Sequence, residues 1–260
     1  MNIVVCVKHV PNPDLPMRVD PDTRRLVRDP GESVLDTADE YGVEIALQLA
    51  EAQGGKVTVL TMGPAAADDA LRRALAMGAH EAAHILDDAL AGSDALGTAR
   101  TLAAAIKGMA ADLVVCATES TDAYSGMVPG ALAELLALPQ LTFAREATVE
   151  GDTITVKRVV DTGVQTLQAT LPVLLTVTAS IAEPRYPTFR GLMQAKRKPV
   201  DILTVAGLGL DSATVGAAGA QERVTNVATQ TVEKVGVKIH DDGGDSVEQI
   251  IAYLKRIEVI

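Results

Sequence analysis

Four short runs of aliphatic residues, Cys and Thr punctuate the chain: Ile3 to Val7, Val57 to Thr61, Leu113 to Ala117 and Val173 to Thr178. Runs of this length with almost no polar position predict strands buried on both faces, as in a parallel sheet. Between them the apolar period lengthens. From Asp39 to Ala52, Val43, Ala46, Leu47 and Ala50 fall on one helix face. Ala65 to Met77 follows a Gly-Pro start, which suits a first helical turn. Ser93 or Asp94 caps a helix reaching about Met109, and Ser125 to Leu136 forms another, with Pro129 near its N-terminus. Strands alternating with helices predict an α/β fold: a mostly parallel sheet with helices on both faces. Ligands of such sheets bind at the carboxyl ends of the strands, here the loops after Val7, Thr61 and Ala117.

From Thr142 the pattern changes. Ala147 to Val149 and Thr153 to Val160 alternate around Gly151-Asp152, the mark of an antiparallel hairpin, expected at a sheet edge. Residues 1–199 read as one α/β domain. Residues 200–260 are Gly-, Ala-, Thr- and Val-rich with weak periodicity, and only Ser246 to Arg256 reads as a helix. We expect this stretch to be an extended C-terminal arm. Its apolar Val224, Val227 and Val232 need a cover, which a partner subunit would supply.

Composition sharpens this reading. Of 260 residues 48% are hydrophobic but 2% aromatic, with no Trp, so Ala, Val, Leu and Ile must build the core. The net charge of −11 argues against nucleic acid and anionic membranes as partners. Cys6 and Cys116 lie inside apolar runs and read as buried free thiols in a reducing compartment. A strand starting at the second residue leaves no leader, and no apolar run reaches membrane-spanning length; the expected location is cytoplasmic.

The sequence lacks G-x-G-x-x-G after its first strand, G-x-x-x-x-G-K-[ST], H-E-x-x-H, G-x-S-x-G and C-x-x-C. His80 and His84, four apart, could share a helix face, but no carboxylates complete a metal site. No catalytic residue stands out. Two segments carry unusual chemistry. Ser120-Thr121-Asp122-Ala123-Tyr124-Ser125-Gly126 leaves a strand and opens a helix. It reads as a phosphate cradle or as an ordinary capped turn. Glu183-Pro184-Arg185-Tyr186-Pro187-Thr188-Phe189-Arg190-Gly191-Leu192-Met193-Gln194-Ala195-Lys196-Arg197-Lys198 sets an apolar anchor beside a basic run in an acidic protein. It reads as a docking surface or as a connecting loop with a solvated basic turn.

The second segment resembles the signature of electron transfer flavoprotein beta subunits: Glu-Pro-Arg-Tyr, a short variable stretch, then Met-x-Ala-Lys-Lys-Lys. Val4-Val5-Cys6-Val7-Lys8, Arg72 to Ala79, Asp112 to Pro129 and Asp161 to Leu171 resemble further family segments, so the resemblance spans about residues 1–210. It implies an adenine-nucleotide alpha hydrolase-like fold and a heterodimer with an alpha subunit that holds a redox-active FAD near the interface. It also implies a structural AMP in this chain. Cys6 and Met62 would touch the AMP, with Asp39, Glu40, Tyr41, Gly42 and Val43. The loop from Ser120 would join them and run on through Met127, Val128 and Pro129.

The resemblance further implies docking to flavin-dependent dehydrogenases through Glu183, Pro184, Arg185 and Tyr186 and through Phe189, Leu192, Met193 and Lys196. Electrons would pass to a downstream acceptor such as a quinone oxidoreductase. Three positions depart from the family's pattern. Val159 stands where some relatives carry Glu, Met127 where Gln is common, and Asp39 where Asn is frequent. A bifurcating member would hold a second FAD in place of AMP. A free-standing adenine-nucleotide enzyme of this fold is the remaining alternative. A ligase of that kind needs S-G-G-x-D-S after the first strand, where this chain has Lys8-His9-Val10-Pro11, and a stress-type binder needs a G-x-x-G loop, which is missing.

Overall fold

A computed structural model describes residues 1–28, 30–228, 236–241 and 243–260. The chain opens with β1 (Asn2–Cys6), β2 (His9–Pro11), β3 (Ser33–Leu35), α1 (Thr37–Gln53), β4 (Lys56–Met62) and α2 (Asp68–Met77). It continues through β5 (Glu81–Ile85), α3 (Ala95–Lys107), β6 (Leu113–Ala117) and α4 (Met127–Leu136). Five strands follow: β7 (Gln140–Ala144), β8 (Glu146–Glu150), β9 (Thr153–Val160), β10 (Gly163–Thr170) and β11 (Val173–Val177). Then come α5 (Phe189–Ala195), β12 (Asp201–Leu203), the single turn α6 (Gly216–Gly219) and α7 (Ser246–Arg256).

Among the described residues, seven strands form one sheet in the order β12-β5-β4-β1-β6-β11-β7, and each of these pairings is parallel. The expected α/β architecture is therefore present. Alternation along β1 explains its burial. Ile3 and Val5 face α1 and α2, where Val43, Leu47, Leu71 and Leu75 close one core. Val4 faces the opposite side, where Leu102 and Ile106 of α3 and Leu132 of α4 close another. Helices thus cover both faces, and no polar side of β1 is left to water.

The chain falls into two units, Met1–Thr225 and Asn226–Ile260. The first differs from the sequence-based expectation in two ways. Residues 201–203, expected in the arm, form an edge strand of the main sheet beside β5. The β8–β9 hairpin forms as expected, but not at the edge of the main sheet: with β10 it makes a separate three-stranded antiparallel sheet. Ile154 and Val156 turn its inner face into the α1-side core, which is why a hairpin so polar on its outer face is held. In the second unit α7 spans the residues expected, with Val247, Ile250 and Ile251 exposed along one face at helical spacing. Val224 and Val227 are exposed as well, while Val232 lies outside the described residues.

Candidate functional site

The carboxyl ends of β1, β4 and β6 carry a set of charged and hydroxyl groups. Lys8 is the first long polar side chain after β1. Its Nζ donates to Asp122 Oδ1 at 2.6 Å and to Ser120 Oγ at 3.2 Å. Arg28, from the segment between β2 and β3, donates to Asp122 Oδ2 at 2.6 Å. The Asp122 side chain is 1% exposed. Burial pushes its carboxyl up, but Lys8 and the surrounding hydrogen bonds more than offset this and hold it below the usual carboxylate range. Asp122 is therefore an internal fastener of the loop, and its oxygens are already engaged.

Two further carboxylates brace the same place from below. Asp36 is fully buried; one oxygen caps α1 at the Ala38 amide and the other accepts from the Thr121 amide at 2.9 Å. Asp39 is buried and accepts from the Lys8 amide at 2.7 Å. Burial, with Asp36 nearby, pushes the Asp39 carboxyl well up. Asp39 is turned inward onto the Lys8 amide rather than out to solvent.

The loop itself has donors to spare. Thr121 Oγ1 is buried and has no hydrogen-bond partner. Gly126 sits in the left-handed region as the N-cap of α4, and no side chain caps that helix. The first-turn amides of Met127 and Val128 are unclaimed by the helix, as first-turn donors must be. Tyr124 is exposed and left-handed, while Ala123, Ser125 and Met127 are also exposed and Pro129 is buried. A buried hydroxyl without a partner, on a loop where Lys8 and Arg28 outnumber Asp122 by one charge and that leads into an uncapped helix, fits a phosphate-bearing ligand.

The other residues expected at the nucleotide divide in two. Cys6 and Met62 end their strands half-buried, at the rim of the α3-side core. Cys6 and burial together push the Cys116 thiol well up, so it stays neutral. The α1 residues point elsewhere. Glu40 pairs with Arg73 at 2.9 Å. Tyr41 packs on the α1-side core and Val43 is fully buried within it. Gly42 is buried against the sheet, with Val5, Val115 and Val177 its nearest neighbours. These positions shape the site from behind and offer no exposed side chain to a ligand.

His80 and His84 do not share a helix. His80 lies in the turn after α2, its Nδ1 accepting from the Val57 amide, and His84 is buried in β5 against the Gly63 carbonyl. Sequence reasoning missed Lys8, Arg28 and Asp36 as functional groups. Lys8 had a signal: the first charge after a buried strand lies where parallel sheets bind ligands. Arg28 and Asp36 had none, because their partners are 94 and 85 residues away.

The Glu183 to Lys198 segment is a raised loop ending in α5. Tyr186 is 87% exposed and Phe189 81%, with Leu192 and Met193 about half as much. Glu183 and Lys196 are exposed and Pro184 is half-buried. Arg185 turns inward to Glu44 and Glu51, so its charge belongs to the loop's base and not to its outer surface. Thr188 caps α5 at the Gly191 amide. No described helix is long and apolar enough to cross a membrane.

Comparison with known proteins identifies the family. Residues 24–208 match the model of the electron transfer flavoprotein domain. The electron transfer flavoprotein subunit beta of Mycobacterium tuberculosis (strain ATCC 25618 / H37Rv) is 42% identical over 265 residues, covering 100% of this chain and 99% of that protein. Its counterpart in Thermoanaerobacterium thermosaccharolyticum is 36% identical over 261 residues and all of both chains. The caffeyl-CoA reductase-Etf complex subunit CarD of Acetobacterium woodii is 34% identical over 218 residues, 83% of each. With the family model covering most of the chain and beta subunits matching it end to end, the chain belongs to the electron transfer flavoprotein family, among its beta subunits.

Proposed function

We propose that this chain is the beta half of a heterodimeric electron carrier. Its alpha partner subunit holds a redox-active FAD near the interface, which supplies the electron-accepting chemistry. This chain contributes a structural AMP site and the surface that docks flavin-dependent dehydrogenases. Electrons leave to a downstream acceptor such as a quinone oxidoreductase. Cys6 and Cys116, both free thiols, suit work in the cytoplasm.

One observation carries the docking role. The protein has four Tyr, two Phe and no Trp, yet Tyr186 and Phe189 stand almost fully in water on one stiffened loop. Large exposed apolar side chains on a fixed backbone are the anchors that interfaces use. Arg190, Lys196 and Arg197 add exposed positive charge to the same segment in a protein of net charge −11. A dehydrogenase surface with an apolar pocket rimmed by carboxylates would fit.

For AMP, Lys8 and Arg28 offset phosphate charge, Thr121 Oγ1 and the Met127 and Val128 amides donate, and Asp36 holds the loop in register. The chain's own residues perform no bond making or breaking. The CarD relative, a subunit of a reductase complex, motivates a second reading in which a second FAD takes the place of AMP. The test is assembly and turnover. The co-expressed heterodimer should accept electrons from a flavin-dependent dehydrogenase and pass them to a quinone-linked acceptor, whereas this chain alone should do neither. A chain that turns over substrate without a partner would refute the carrier reading.

A further inference from the structure

The base of the docking loop is held by an unusual group, a carboxylate buried in a helix. Glu44 of α1 has a side chain 4% exposed. Its Oε2 accepts from the Arg185 backbone amide at 3.1 Å and from Arg185 Nε at 2.8 Å. Its Oε1 accepts from Arg185 Nη2 at 3.0 Å and from Gln48 at 2.8 Å. Every lone-pair direction of this carboxylate thus has a donor. Glu51, two helical turns on and therefore on the same face, adds Nη1 at 2.6 Å and Nη2 at 3.3 Å. The guanidinium is thereby gripped along two edges, a geometry that only a planar fork allows.

Burying the Glu44 carboxylate is a poor device for stability alone, because its desolvation offsets much of the Coulomb gain from the half-buried Arg185. What it does supply is a unique geometry. Here the same carboxylate fixes both the Arg185 side chain and its backbone amide, so it fixes the direction in which the chain enters the loop. The loop's exit is pinned independently. Arg72 donates to the carbonyls of Ala195 at 2.8 Å and Lys198 at 2.6 Å, and Lys198 Nζ donates to the Ala79 carbonyl at 2.6 Å. Tyr186 and Phe189 lie between two fixed ends. Tyr186 directly follows the residue that Glu44 holds.

We propose that Glu44 is a positioning residue for docking: by clamping Arg185 it preorganises Tyr186 and Phe189 for the dehydrogenase without touching that partner itself. This rests on the reading of the loop as the docking surface. A loop that must be ordered on binding loses affinity to the entropy of ordering, while a clamped loop has met that cost in folding. Releasing the clamp therefore weakens docking and leaves the electron-transfer step after docking unchanged.

The test uses the full heterodimer carrying Glu44→Gln, Arg185→Lys or Phe189→Ala, with a flavin-dependent dehydrogenase that reduces the unaltered heterodimer. Readouts are KM for the carrier, kcat, nucleotide content and the rate of tryptic cleavage after Arg190. We expect Glu44→Gln and Arg185→Lys to raise KM by about tenfold, with kcat and nucleotide content unchanged and cleavage after Arg190 faster. Phe189→Ala should raise KM without faster cleavage, since it leaves the clamp intact. If Phe189→Ala raises KM and the two clamp variants do not, the positioning role is overturned and the docking loop stands. If none of the three moves KM, the docking reading itself fails. If Glu44→Gln does not assemble, Arg185→Lys decides; loss of assembly or nucleotide there too would make the clamp a folding device and overturn the proposal.

Discussion

Asp36 and Thr121 are 85 residues apart in sequence, yet one oxygen of the Asp36 carboxylate accepts the Thr121 amide at 2.9 Å while the other caps α1. A single buried acid therefore starts a helix and fixes the loop that leaves β6. Replacing it with Ala removes both bonds. Loss of a helix cap alone costs about 1 kcal/mol, and losing the part-buried Thr121 amide's partner adds up to about 1–2 kcal/mol. We expect Asp36→Ala to lower the melting temperature and the retained nucleotide together. A variant that melts lower but keeps its full nucleotide would separate the loop from the site.

Asp39 gives a pH dependence whose sign is fixed. Burial, aided by Asp36, raises its folded-state pKa well above the ordinary value. The folded state therefore holds a proton that the unfolded chain, titrating near about 3.9, has released. Stability from this group is present below that unfolded value and falls as pH rises from it to the raised folded value. Asn can still accept the Lys8 amide without carrying charge. Asp39→Asn should flatten the decline in stability with rising pH and stabilise the protein at the alkaline end, measured by denaturant melts across pH. An unchanged pH profile would contradict the assignment.

Asp122 runs the other way. The Lys8 charge and surrounding hydrogen bonds hold its folded pKa low despite burial, so its contribution is present above the unfolded carboxylate value and is lost as pH falls through the folded one. Lys8→Met removes the strongest of these influences. Nucleotide retention at neutral pH should drop, and the loop should open at a less acidic pH. Amide exchange in the loop following β6 would report both effects.

Gly191 tests the platform under α5. A Cβ there would stand 2.6 Å from the Ala76 carbonyl oxygen of α2. Gly191→Ala forces α5 away from α2, at a cost of about 1–3 kcal/mol. Thermal melts should show the loss, and docking should weaken with it. Phe189→Ala, which removes only an exposed ring, should leave the melt unchanged and weaken docking by about 2 kcal/mol, roughly thirtyfold in KM.

Where the hydrophobic pattern was uniform, the sequence read true. β6 appears over Leu113–Ala117, and α7 over Ser246–Arg256, as their periods predict. β5 was hidden because Glu81 and His84 interrupt its apolar run, and His80 and His84 mimic a helical spacing. His84 is tolerated there because the Gly63 carbonyl answers its ring nitrogen. β12 is three residues long with two of them exposed, so it carries no burial pattern to find. The two loops that matter were legible as unusual chemistry, but what holds them was not. Arg185 lies 141 residues from Glu44, and Lys8 lies 114 from Asp122. The family resemblance puts Arg185 among the docking residues; only the fold shows that it faces inward.

The central claim is a two-subunit carrier whose beta half holds AMP. Its most direct test is the nucleotide content of the co-expressed, purified heterodimer after acid release. The account predicts FAD and AMP in equal amounts, with the AMP lost on Lys8→Met. FAD alone at twice the heterodimer concentration would contradict the AMP assignment and make the loop after β6 a flavin site; a chain that binds no partner and retains ATP would contradict the carrier itself.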